Sequence, residues 1–179
     1  MIGELHQEAL AGQAPGDQSI LDRCAGPTLD IGSGPGRLTL ALAERGIPAL
    51  GIDITAHEVG KARSRGALVM RRDVFDRVPG TGRWATILLA DGNIGIGGDP
   101  VALLRRVSEL LAPDGRALVE LDPPGQPPLP DDDDRFPRAH VGADHIAELA
   151  AAAGLRSVTI WSAGARWFAA LKQNARRFP

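Results

Sequence analysis

Two apolar runs late in the chain, SVTIW (157–161) and WFAALK (167–172), are separated by only five residues, SAGAR. Parallel strands need a crossover of a dozen or more residues, so this link forces an antiparallel hairpin. Everything upstream has the opposite spacing. Short β-like runs at 28–31 (TLDI), 49–54 (ALGIDI), 68–74 (LVMRRDV), 84–90 (WATILLA) and 116–122 (RALVELD) alternate with helical stretches. That is the βαβ rhythm of a parallel sheet. The pattern therefore predicts an α/β fold with five parallel strands, a sixth reached by a helix, and a seventh running against the rest.

The helices carry their own punctuation. Leu38, Ala41, Leu42 and Arg45 fall on one helical face, and Gly46 and Pro48 stop that helix. Thr55 and Glu58 form a T-x-x-E pattern, which predicts a capping box opening a helix to Arg65. Asp99 and Pro100 suit the N-cap and first helical residue, and Val101, Leu104, Val107, Leu110 and Leu111 give the helix they open an apolar face. A further helix, ADHIAELAAAAG, places Ile146, Leu149, Ala150 and Ala153 on one side.

Between the first strand and the first of these helices stands D-x-G-x-G-x-G: Asp30, Gly32, Gly34 and Gly36. Glycines here let the chain turn tightly and leave no side chain between backbone and ligand, while the helix N-terminus offers free N–H groups. A dinucleotide fingerprint, G-x-G-x-x-G, would need glycine at 37 or 39, and those positions hold Arg37 and Thr39. No Lys-Ser or Lys-Thr follows the glycines, so a P-loop also fails. An acid beside the loop opposes a pyrophosphate and favours a ligand that carries a cation.

These residues resemble the first motif of class I S-adenosylmethionine-dependent methyltransferases, and the closing hairpin is similar to the last strands of that family's sheet. The resemblance runs from about residue 28 to the C-terminus. It implies a Rossmann-like three-layer sandwich with a seven-stranded, mostly parallel sheet whose last strand is antiparallel. It implies S-adenosyl-L-methionine as cofactor, with Gly32, Gly34 and Gly36 around its methionine part and Asp30 near the ammonium group. Asp53, followed by Ile54, matches the acid that accepts hydrogen bonds from both ribose hydroxyls. Asp73 and Val74 match the carboxylate and amide that read adenine, and Asp91 follows the fourth strand beside the cofactor. Residues 28–179 would form this domain, with 1–27 a helical segment packed on it. The family's acid at the start of the fourth strand is missing, since Ala85 and Thr86 stand there.

The acceptor is less legible. Asn93 in ADGNIGIGGD, Asp122 in LDPPG and His140 are candidates for its pocket. LDPPG resembles the D-P-P-Y motif of adenine methyltransferases acting on DNA, but it follows the wrong strand and lacks the aromatic residue that stacks a flipped base. The proline-rich segment 123–142 reads as a loop and a candidate lid, with Asp131–Asp134 a solvated run.

Composition narrows the partners. With 20 basic against 22 acidic residues and a net charge of −2, the chain lacks the field that non-specific nucleic-acid binding needs. A small-molecule acceptor is expected, with no nucleic acid and no membrane. One cysteine rules out an internal disulfide and a cysteine-based metal cluster, and no metal is expected. Neither a signal peptide nor a membrane-spanning run is evident, so a cytoplasmic protein is expected, while the scarcity of lysine beside abundant arginine, alanine, glycine and proline suggests a GC-rich bacterial genome. The function expected is methyl transfer from S-adenosyl-L-methionine, against two alternatives: a non-catalytic cofactor-binding protein, or a nucleotide-dependent oxidoreductase.

Overall fold

The first strand, β1 (Thr28–Ile31), is buried along its whole length, as its central place in a sheet requires. Around it the computed structural model, which describes residues 16–125 and 136–174, arranges α1 (Asp17–Leu21), α2 (Arg37–Glu44), β2 (Ala49–Asp53), α3 (Ala56–Ser64), β3 (Val69–Arg71) and β4 (Trp84–Leu89). A 3₁₀ turn (Asn93–Gly95), α4 (Pro100–Leu110), β5 (Leu111–Leu121), α5 (Ile146–Ala152), β6 (Leu155–Ala163) and β7 (Arg166–Gln173) complete it. The sheet has seven strands in the order β3-β2-β1-β4-β5-β7-β6. β7 runs antiparallel to both β5 and β6, and the other pairings are parallel. The α/β sandwich and its single reversed strand are as the spacing predicts.

Alternation along the central strands supplies two hydrophobic layers, because successive side chains point to opposite faces. Ile87 and Leu89 of β4 and Val119 of β5 join a core with Leu104, Val107 and Ile146 beneath α4 and α5. Leu88 and Leu118 turn the other way and meet Ile20, Leu38, Leu42 and Phe168 beneath α1 and α2. Each fully buried Leu or Ile contributes about 1.5–3 kcal/mol of transfer free energy. The ring of Phe168 stacks on Trp161 with centroids 5.4 Å apart, which joins the hairpin to this second layer.

Local details depart from expectation in instructive ways. The hairpin is tighter than its apolar runs imply: β6 and β7 extend to Ala163 and Arg166, leaving two residues, with Gly164 at φ 62°. β5 starts at Leu111, which pairs with Trp84; the next pair, Thr86 with Arg116, leaves residues 112–115 bulged out. β3 is only three residues long, so Asp73 and Val74 lie beyond its end. The capping box does not form, because the Thr55 side chain makes no cap and its amide instead donates to Asp53 Oδ1 at 2.8 Å. Asp99 does cap α4, accepting from the Ala102 amide at 2.9 Å. Thr86 is buried and ties the entry turn to β4: its hydroxyl donates to the Ala25 carbonyl at 2.8 Å and accepts the Ala25 amide at 3.1 Å. Residues 1–15 of the expected N-terminal segment, and residues 126–135 of the expected lid with its aspartate run, lie outside the described residues.

Candidate functional site

The C-terminal ends of β1, β2 and β3, with the loop after β4, surround a cavity of about 850 Å³. In an open α/β sheet this is where ligands bind, beside the point at which strand order reverses. The reversal here falls between β1 and β4.

Its floor is the glycine loop. Gly32, Gly34 and Gly36 have φ of 70°, 51° and 79°, a region that costs side-chain-bearing residues strain. The reasons beyond conformation differ. At Gly36 a Cβ would sit 2.7 Å from Ala67 Cβ, so packing excludes it; at Gly34 a Cβ would meet nothing within 4 Å and would project into open space. The loop is held from two sides. The Gly34 amide donates to Asp53 Oδ2 at 2.9 Å. The Asn93 amide nitrogen donates to the carbonyls of Ile31 and Gly32, both at 2.9 Å.

Asp30 is 2% exposed and accepts a hydrogen bond from the Thr39 hydroxyl at 2.8 Å. Burial pushes its carboxyl up from 3.8 to about 6, partly opposed by that hydrogen bond. Asp53 offers both oxygens, each already accepting one backbone amide. Asp73 is exposed at the cavity and accepts the Phe75 amide at 2.9 Å; Val74 is buried, with its carbonyl bound by Arg106 Nε at 2.9 Å. Ile54, 41% exposed, also lines the cavity.

Asp91 stands at φ 54°, the single non-glycine residue at positive φ among those described. Its Oδ2 meets Arg37 at 2.6 Å and its Oδ1 lies 3.4 Å from Arg166. Arg37 in turn pairs with Asp17, which is fully buried and also binds Arg166 at 2.7 Å. Arg166 reaches Glu120 at 2.6 Å, and this guanidinium lowers the Glu120 carboxyl against the opposing effect of burial. Five charged residues from five segments thus converge at one end of the cavity.

The expected cofactor residues and Asn93 all line this cavity except Gly36, which supports the loop from behind. Asp122 and His140 are not among its lining. They pair with each other, His140 Nδ1 to Asp122 Oδ2 at 3.1 Å, beyond the end of β5. Arg37, Arg72, Phe75, Phe136 and Arg138 line the cavity without having been singled out from sequence. Arg37 follows the third glycine directly, which is the signal that marked it only as a break in the dinucleotide pattern.

The segment 136–142 is docked closely. The Ala139 amide donates to the Gly95 carbonyl at 2.9 Å, and a Cβ on Gly95 would lie 1.9 Å from the Ala139 oxygen. Gly95→Ala should therefore displace this segment and lower the melting temperature by several degrees, since overpacking costs typically about 1–3 kcal/mol. Thermal melts alongside Gly60→Ala in α3, where the backbone is likewise free of positive-φ strain but the added Cβ meets nothing within 4 Å, would check it.

Comparison with known proteins agrees with this geometry. No curated relative matches the sequence. A solved SAM-dependent methyltransferase from Bacteroides fragilis, in complex with S-adenosyl-L-homocysteine, is 22% identical, with TM-score 0.76, over 92% of this chain and 79% of that one. The CcbJ methyltransferase from Streptomyces caelestis is 17% identical, with TM-score 0.73, over 92% of each chain. A Burkholderia thailandensis 1,6-didemethyltoxoflavin-N1-methyltransferase is 20% identical, with TM-score 0.70, over 96% of this chain and 84% of that one. These likenesses concern the fold. The methyltransferase-domain family matches residues 8–160, most of the chain, and the chain belongs to that family.

Proposed function

We propose that the chain transfers a methyl group from S-adenosyl-L-methionine to a small-molecule acceptor. The observation that carries this is the cavity itself. A glycine loop opens onto it at Gly34, Asp53 and Asp73 stand in order along its wall, and five carboxylates line it against three arginines. An excess of acid suits a ligand that carries a cationic sulfonium. Two features of the protein fit the cofactor: the open space beside Gly34, and the Arg72 Nε, buried at the wall with no hydrogen bond. The solved relatives bound to S-adenosylhomocysteine support the same reading.

The roles follow the chemistry of each group. The loop of Gly32, Gly34 and Gly36 cradles the methionine arm, with Asp30 as the anionic neighbour of its ammonium and Asp91 beside the arm through its pair with Arg37. Asp53 accepts from the ribose diol, and its neighbour Ile54 supplies an apolar edge. Asp73 and the Val74 amide read adenine; the Val74 carbonyl is already taken by Arg106. When bound, the cofactor supplies a methyl group already activated by its sulfonium. The chain's part is then to align the nucleophile, which is worth about 7–11 kcal/mol when geometry is well matched. Asn93, whose Oδ1 accepts from Arg138, is our candidate for the acceptor side of the cavity, and the Asp122–His140 pair after β5 is a second. The catalytic domain of this reading starts at residue 28, with α1 (Asp17–Leu21) packed on it. The Burkholderia relative, solved with 1,6-didemethyltoxoflavin and S-adenosylhomocysteine bound, supports a small molecule over a polymer.

S-adenosylhomocysteine should raise the melting temperature, because a ligand that binds only the folded state stabilises it by mass action. At 100 times its dissociation constant the gain is about 2.7 kcal/mol. A thermal-shift panel that also includes NAD and NADP checks this. A shift with a nicotinamide cofactor and none with either adenosyl ligand would overturn the proposal.

A further inference from the structure

A zwitterionic amino acid presents a carboxylate as well as an ammonium, and the acid-rich cavity has few groups to receive the former. Three guanidiniums line it. Arg72 belongs to the end with Asp53 and Asp73, where its amide donates to the Asp53 carbonyl at 2.9 Å. Arg138 is turned toward Asn93 Oδ1, 3.4 Å away. Arg37 follows directly on the glycine loop, and its Nη2 donates to a carboxylate, Asp91 Oδ2, at 2.6 Å.

We infer that Arg37 is the residue that takes the α-carboxylate of the bound cofactor, and that Asp91 is an internal stand-in which leaves Arg37 when the ligand arrives. This rests on the cofactor reading above. The guanidinium is built for such an exchange. Its other edge is held by Asp17, which is fully buried, so the group stays aimed into the cavity whichever carboxylate occupies Nη2. A guanidinium with one edge anchored and one presented matches carboxylate geometry and loses little freedom on binding.

Asp91 is equally suited to leave. Its side chain is 58% exposed, while its backbone amide is fixed to Glu120 Oε2 at 2.6 Å, so the carboxylate can swing without the loop coming loose. A second cation is at hand, since Arg166 lies 3.4 Å from its other oxygen. The positive φ of Asp91 points the same way: the chain accepts local strain at the position that aims this carboxylate at Arg37.

The test compares two probes that share the adenosine thioether, only one of which has the amino-acid end. These are S-adenosylhomocysteine and 5′-methylthioadenosine, titrated by calorimetry into the parent, Arg37→Gln and Asp91→Asn. Arg37→Gln should weaken S-adenosylhomocysteine roughly 10- to 100-fold, the value of a hydrogen-bonded charge, and leave 5′-methylthioadenosine within about twofold. Asp91→Asn leaves the Asp17–Arg37 and Asp17–Arg166 pairs in place and should tighten S-adenosylhomocysteine severalfold by removing the internal competitor. Equal losses for both probes in Arg37→Gln would mean the arginine only holds the fold, and would overturn the assignment. Selective weakening of S-adenosylhomocysteine by Asp91→Asn would make Asp91 a ligand of the ammonium and overturn the exchange. A parent that binds neither probe would instead sink the cofactor reading, and this inference with it.

Discussion

Asp53→Ala should weaken S-adenosylhomocysteine by about two orders of magnitude, while Asp73→Ala weakens it by about one. Each hydrogen bond to an ionised acceptor is worth roughly 1.5–3 kcal/mol, and Asp53 has two oxygens for a diol. The full sum of about 3–6 kcal/mol overstates the loss, because both oxygens also serve protein amides, those of Gly34 and Thr55. Removing the carboxylate frees the Gly34 amide as well, so the variant loses a ligand contact and a latch on the loop together. Asp73 is exposed and its own protein contact is a single amide two residues on, so the Val74 amide can still meet the base without it. Calorimetry on both variants decides the order. If Asp53→Ala binds like the parent, the carboxylate serves the loop alone and its assignment to the ribose is wrong.

The order of elements was legible because it depends on short-range signals. Apolar runs of strand length, helical spacing between them and a short final link suffice to define the sheet and its reversed strand. The glycine loop was legible for the same reason: three alternating glycines and an acid fall within seven residues. What the sequence hid is long-range or competitive. Asp17 and Arg166 pair across 149 positions, and nothing near either residue announces the other. Thr55 and Glu58 look like a capping box, but Asp53 claims the Thr55 amide, so a local rule loses to the site next to it. Asn93 reads as either a turn or an active-site residue. Its side chain joins the loop after β4 to the glycine loop across 61 and 62 positions, a role that only the packed sheet creates. Asp122 and His140 are brought together by the pairing of Asp122 with Gly142 after β5, which no sequence motif specifies.

Asp30→Asn should make the ligand-free protein more stable at neutral pH and weaken its grip on the cofactor. Asp30 sits at the end of the glycine-loop strand with 2% exposure, and its carboxyl titrates near 6 in the fold against an ordinary value of 3.8. A raised folded value means that the folded state binds the proton more tightly than the unfolded chain. Stability from this group therefore falls as pH rises from about 4 to about 6, and the full cost is present above that window. A shift of about two units corresponds to about 3 kcal/mol. Asparagine removes the charge yet keeps an oxygen to accept from the Thr39 hydroxyl, so the variant should recover much of that cost. Melting temperatures of parent and variant should nearly coincide at pH 4, diverge through pH 6 and then run parallel. The same substitution removes an anionic neighbour of the cofactor's ammonium, so S-adenosylhomocysteine should bind more weakly to the more stable protein. A constant offset at every pH would show that Asp30 does not titrate in this window. A variant less stable than the parent at pH 7 would show that the ionised carboxylate holds the loop together, and that the burial cost assigned to it is not there.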